Sequence, residues 1–187
     1  MPDRREICSK KPISFEVFGD DYLSMSKQAS KIAKWGKNVY VKIPVVNSKG
    51  LFMGRVIKEL SDKGIKLNIT AVYTFEHTKK IFNCLNKKTK SIISLFAGRM
   101  ADKGKDPLPI FKKSISLTKN NKNIDILWAS TREAYNYIQA KQLNCNIITM
   151  PPKIINQING FGKSFKTMTL DTVKGFLADS KKSRFSL

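Results

Sequence analysis

The chain has 187 residues, and 35 Lys and Arg against 14 Asp and Glu give it a formal net charge of +21. That length suits one domain with a sizeable buried core, and 41% apolar content with 11 Phe argues against disorder. No uninterrupted apolar run approaches the ~18–20 residues needed to cross a bilayer, and the charged segment from Met1 to Lys11 lacks the apolar centre of a signal peptide. A cytoplasmic protein without membrane association is expected.

Cys8, Cys84 and Cys145 are scattered, odd in number and never spaced as CxxC, which argues against a disulfide framework or a zinc site. Six basic residues are Arg (Arg4, Arg5, Arg55, Arg99, Arg132 and Arg184), leaving 29 Lys spread along the chain. Nucleic-acid binders more often cluster their charge and interleave aromatic platforms. The +21 is therefore read as a lysine-rich solvated surface, and nucleic acid is not expected as a partner.

In chain order, a short apolar run at Ile13–Phe18 (ISFEVF) predicts a strand, and Asp20–Trp35 predicts a helix with Tyr22, Met25, Ala29, Ile32 and Ala33 on one face. Gly36 stops that helix. Val39–Val46 (VYVKIPVV) predicts a second strand, Gly50–Ser61 a second helix, Lys66–Tyr73 a third strand and Phe75–Leu85 a third helix. Ser91–Phe96 (strand), Leu108–Leu117 (helix), Ile124–Ala129 (strand), Thr131–Leu143 (helix) and Cys145–Met150 (strand) continue the rhythm. A last helix is expected at Leu170–Leu177. Several strands look apolar on both faces, as in parallel sheets covered by helices. Six units of about 30 residues match the economy of βαβ crossovers, so a single α/β domain over 1–187 is expected, with 1–12 a non-core extension.

In such folds chemistry gathers at the carboxyl ends of strands. Lys42 lies in the apolar run VYVKIPV, where burial favours the neutral amine that Schiff-base chemistry requires. The alternative is a Lys with a buried stem, its head paired with a carboxylate such as Glu16. Glu16, embedded in ISFEVF, either pairs with Lys42 or holds a water for acid–base work. Asn68 and Thr70 alternate with apolar neighbours, so they face one side, where they bind substrate or satisfy each other; Ser94 is open to the same two readings. Arg99, with Ser130, Thr131 and Arg132 at an expected helix start, would make an anion site; the alternative is a helix cap beside a surface Arg. His77 is expected to be solvated.

Taken together, VYVKIPV, LNITAVYT, ISLFAGRMADKGKDP and WASTRE resemble, in order and spacing, segments of the transaldolase family, which includes the fructose-6-phosphate aldolase-like enzymes. The resemblance runs from about Ile13 onward. It implies a TIM-type (β/α)8 barrel, here of about six βα units, acting on sugar phosphates in pentose-phosphate-type carbohydrate metabolism without metal or cofactor. Lys42 would be the Schiff-base nucleophile and Glu16 the acid–base group. Asn68, Thr70, Ser94 and Phe96 would bind substrate, and Arg99, Ser130 and Arg132 would bind its phosphate.

Glu16 and Phe96 match positions that carry Glu and Phe in transaldolases and Gln and Tyr in the aldolase branch. Both favour transfer of a three-carbon dihydroxyacetone unit over its hydrolytic release. Val46 stands where the family motif has Thr, and Leu95 where Pro is common. The family's first two βα units, with a catalytic Asp and a Thr-Thr-Asn-Pro segment, have no counterpart. The alternatives to transaldolase activity are therefore a catalytically impaired chain and an aldolase-type lyase. An open six-stranded barrel would also be completed by another chain or associate as a homo-oligomer.

Overall fold

The computed structural model describes residues 10–183. Cys8, Arg4, Arg5, Arg184 and all but the last three residues of the expected 1–12 extension lie outside them. The chain divides into two compact units, Met1–Met150 and Pro151–Leu187.

The first unit alternates strand and helix: β1 (Ile13–Glu16), α1 (Tyr22–Ile32) with a 3-10 turn (Ala33–Trp35), β2 (Val39–Pro44), α2 (Gly54–Asp62), β3 (Leu67–Val72), α3 (Phe75–Cys84), β4 (Ser91–Phe96), α4 (Ala97–Ala101), α5 (Leu108–Thr118), β5 (Ile124–Ala129), α6 (Tyr135–Gln142) and β6 (Ile147–Ile148). The six strands form one parallel sheet whose spatial order equals their chain order. A doubly wound sheet reverses its strand order at a switch point, and this one never does. Right-handed crossovers that always step in one direction put every helix on the same side. The result is a curled half-barrel of TIM type.

That winding gives the strands two unlike faces, where several had been expected to be apolar on both. Val39, Val41, Ile43, Leu67, Ile69, Ile93, Leu95, Ile124, Ile126 and Trp128 are buried with the helix residues Met25, Ala29, Val56, Ile57, Leu60, Ile81 and Phe111 in one core. Each buried Val, Leu, Ile, Met or Phe among them contributes ~1.5–3 kcal/mol of burial free energy. Alternate residues (Ser14, Glu16, Lys42, Asn68, Thr70 and Ser94) point to the other, inner face, with only a small apolar cluster of Tyr40, Ile92, Leu127 and Ala129 among them.

The element boundaries differ where side chains intercept the backbone. Helix α1 starts at Tyr22 because Asp21 and Ser24 form a capping box. Helix α2 starts four residues later than expected. The Asn47 side chain accepts the Lys49 and Leu51 N–H groups, Gly50 takes a positive φ of 77°, and Val46 bridges Phe52. Strand β6 is two residues long, since the Asn146 side chain takes the Ile126 N–H that a longer strand would use. Helix α4 was not expected. In the second unit α7 (Pro152–Ile158) was likewise unforeseen, and α8 spans Phe165–Ser183 rather than Leu170–Leu177, burying none of its residues.

One close approach fixes the carboxyl-end loops. A Cβ on Gly98, in α4, would stand 1.6 Å from the Ser130 carbonyl oxygen. Only glycine lets α4 pack against the bend after β5, where Ser130 itself takes a φ of 65°. Gly98→Ala should therefore lower stability by about 1–3 kcal/mol through forced backbone movement. Chemical denaturation checks this, and an unchanged midpoint would contradict it.

Candidate functional site

The parallel register sets Glu16 beside Lys42 and Lys42 beside Asn68, so one row on the inner face crosses β1, β2 and β3. The Lys42 ammonium lies 3.7 Å from a Glu16 carboxylate oxygen. The Lys42 side chain is 31% exposed and that of Glu16 47% exposed, so neither is the embedded group that its apolar neighbours suggested. The neighbours fill the outer face, while these two side chains reach inward, away from the helices of the first unit. Lys42 thus has the geometry of the second reading, with its stem in the sheet and its head beside the Glu16 carboxylate, and it stands at a solvent-accessible cavity.

That cavity, of about 260 Å³, is lined by Lys42, Asn68, Thr70, Ser94, Phe96, Arg99 and Ser130, together with Leu127, Ala129 and Thr149. Seven of the nine residues singled out from sequence therefore share one cavity; Glu16 adjoins it through Lys42, and Arg132 is held elsewhere.

Asn68, which is buried, is locked from both sides: its amide donates to Ser14 Oγ at 3.0 Å, and its Oδ1 accepts from Ser94 Oγ at 2.7 Å. Of the two readings left open for Asn68 and Thr70, their mutual pairing does not occur. Thr70 instead leaves its buried Oγ1 without a hydrogen-bond partner, facing the cavity. A buried hydroxyl of this kind calls for a ligand or water. The irregularity between Ile69 and Val72, with Ala71 at a φ of 59°, has the form of a bulge, a feature that re-aims side chains.

The Phe96 ring packs edge-on against Tyr73 at 5.7 Å between centroids, and the Arg99 guanidinium lies 5.0 Å from the Phe96 ring centre. Arg99 is exposed at the cavity rim. Arg132 does not line the cavity. Its Nε and Nη2 grip the Asp102 carboxylate at 2.6–3.0 Å, and its Nη1 donates to the Ser130 carbonyl. Ser130 and Thr131 do not open a helix. Helix α6 begins only at Tyr135, because the Asn136 side chain accepts the Arg132 and Glu133 N–H groups ahead of it. The anion-binding geometry expected of a helix start is thus replaced by a bend and a rim arginine. His77 is half-buried rather than solvated, with its Nδ1 buried and unpartnered.

Sequence reasoning missed Thr149, whose backbone and side chain close the cavity beyond β6. Its carbonyl accepts from Thr131 Oγ1 at 2.6 Å. It also missed Ser14, whose position two residues before Glu16 was the available signal. Among the described residues no group of three or more His, Cys, Asp and Glu could hold a metal ion, and no helix is long and apolar enough to cross a membrane.

A parallel sheet wound in one direction, with an amine, a carboxylate and hydroxyls on its inner face and a guanidinium at the rim, defines an α/β-barrel-type protein with a polar cavity at the carboxyl ends of its strands. The chain belongs to the family described as transaldolase/fructose-6-phosphate aldolase, whose model matches residues 3–187. A probable transaldolase of Thermoanaerobacter sp. (strain X514) is 34% identical over 149 residues, covering 79% of this chain and 65% of that protein. One from Clostridioides difficile (strain 630) is 30% identical over 148 residues, with 79% and 65% covered. One from Dehalococcoides mccartyi is 31% identical over 158 residues, with 82% and 69% covered. The chain thus spans 65% of the length of the first two of these relatives.

The Arg132–Asp102 pair yields a directional test. Hydrogen bonding from Arg132 holds the Asp102 carboxyl below the usual carboxylate range. The pairing is therefore present above that range and is lost as pH falls through the lowered value. Asp102→Asn should release the Arg132 fork toward the rim and tighten binding of inorganic sulfate at neutral pH about tenfold, the worth of one charge-assisted hydrogen bond. Titration calorimetry reads this directly, and equal or weaker binding would contradict it.

Proposed function

We propose that this chain carries the Schiff-base centre of a transaldolase-type reaction, with Lys42 as nucleophile and a phosphorylated ketose as donor. The observation that carries this reading is chemical. Among the described residues Lys42 brings the only amine to the inner cavity, and a carboxylate stands 3.7 Å away to exchange protons with it.

The neutral amine adds to the ketose carbonyl. Lys42 reaches that neutral form by giving its ammonium proton to Glu16; after addition an amine proton moves to the alkoxide oxygen, and Glu16 returns its proton to the resulting hydroxyl, which leaves as water, giving the protonated imine. The carbon–carbon bond beyond the adjacent hydroxyl carbon then breaks, and its electron pair flows into the imine to give an enamine. The hydroxyl that becomes the departing aldehyde loses its proton, through water, to Glu16. The bound three-carbon enamine attacks an acceptor aldehyde, and hydrolysis of the new imine frees Lys42. Asn68, held rigid by Ser14 and Ser94, and the unpartnered Thr70 hydroxyl orient the donor's hydroxyl groups, and Arg99 at the rim takes its phosphate. Phe96 offers no hydroxyl to activate water, which favours transfer over release.

A catalytically impaired chain that forms the imine and goes no further is the second reading. The capture of Arg132 by Asp102 favours it, because that removes one phosphate-binding fork. Two further βα units between the open edges of β6 and β1 would close an eight-stranded barrel.

The full chain, given fructose 6-phosphate and an aldose phosphate acceptor, should form a second ketose phosphate. Lys42→Arg should abolish this, and Glu16→Gln should slow it about 10²–10⁴-fold. Three-carbon release without any acceptor would assign the aldolase-type lyase, and product formation by Lys42→Arg would overturn the proposal.

A further inference from the structure

The amino-terminal ends of the same strands frame a second cavity, of about 360 Å³. One lysine enters its lining ahead of each of four consecutive strands: Lys10 before β1, Lys37 before β2, Lys66 before β3 and Lys90 before β4. Parallel strands lie ~4.8 Å apart, so the four lysines spread over an arc of about 15 Å. The regularity follows from the winding, which brings each strand entrance beside the previous one.

The ammonium of Lys66 is fixed in place. It donates to the Lys37 carbonyl at 2.6 Å and lies 5.7 Å from the centre of the Tyr40 ring. Among the described residues no carboxylate stands within ion-pair distance of any of the four amines. The nearby acid is Asp125 on β5, and burial pushes its carboxyl above the usual range while Lys90 pulls the other way. Four like charges held around one concavity repel each other, and an anion that bridges them relieves that repulsion.

We propose that this cavity binds a short chain of phosphate groups, such as tripolyphosphate or the phosphate tail of a nucleoside triphosphate. A single phosphate is too small to meet amines spread over that arc. Nucleic acid fits less well: the described lining residues include no arginine fork, and Tyr40, the one aromatic ring among them, is 8% exposed and offers no face for base stacking. No residue lines both this cavity and the candidate active site, although Tyr40 here and Lys42 there stand two positions apart on β2, about 7 Å at the usual rise per residue. The proposal is therefore independent of the role given to Lys42.

Titration calorimetry on the full chain with tripolyphosphate, a nucleoside triphosphate and single phosphate tests it. Tripolyphosphate should bind more tightly than phosphate, and Lys37→Gln combined with Lys90→Gln should weaken it about tenfold or more through loss of two charge-assisted contacts. Arg99→Gln, and Lys79→Gln combined with Lys80→Gln, should leave that affinity unchanged. Equal affinity for tripolyphosphate and the nucleoside triphosphate identifies the phosphate chain as the whole ligand, whereas tighter nucleotide binding adds the nucleoside to it. The single variants Lys37→Gln and Lys90→Gln, both at exposed positions, serve if the double variant melts early. Absent binding, equal weakening by the two lysine pairs, loss in Arg99→Gln, or single-stranded RNA that binds through these lysines without competition from tripolyphosphate would each overturn the proposal.

Discussion

A parallel sheet wound steadily in one direction can cover only one of its faces with its own helices. That constraint governs this protein. The outer face takes the apolar half of each strand, and the packing of Val41, Ile43, Ile69, Ile93 and Trp128 under the helices supplies the main stabilising burial. The inner face is left free for residues that a buried core would reject, and there the register lines up Glu16, Lys42 and Asn68 in a single row. Side-chain pairing across strands, rather than loop geometry, puts the amine next to its carboxylate.

The same winding gives the sheet two chemically distinct ends. At the carboxyl ends the cavity is mixed, with one amine, hydroxyls, an amide and a rim arginine, and its nearby anions are already committed: Glu16 to Lys42 and Asp102 to Arg132. At the amino ends the charged residues that line the cavity are four lysines, with Asp125 of β5 nearby. Two of the seven residues that line that cavity, Lys37 and Lys66, are also bound to each other through a backbone carbonyl. The formal +21 is thus partly organised by the fold and not only spread over the solvated surface.

Much of this was legible in the residues. Alternating apolar runs and amphipathic stretches announced all six strands and the sheet-covering helices, and polar residues inside apolar strands marked the inner face. Asn68 and Thr70 were readable as a same-face pair from their spacing of two. What escaped were features set by tertiary partners. Lysines that precede successive strands look dispersed in sequence and converge only once the strands are side by side. The capture of Arg132 by Asp102 joins residues 30 apart, which no local pattern announces. Helix α6 starts late and β6 stays short because single asparagine side chains, Asn136 and Asn146, intercept backbone N–H groups. The burial expected for Lys42 and Glu16 failed for a related reason: apolar flanks on a strand describe the opposite face.

The central claim is that the inner face singles out one amine from the 29 lysines of the chain. Borohydride reduction in the presence of fructose 6-phosphate, followed by peptide mass mapping, tests it most directly. The account predicts a single sugar adduct on the peptide carrying Lys42, and none in Lys42→Arg. Adducts scattered over the surface lysines, or none at all, would contradict it.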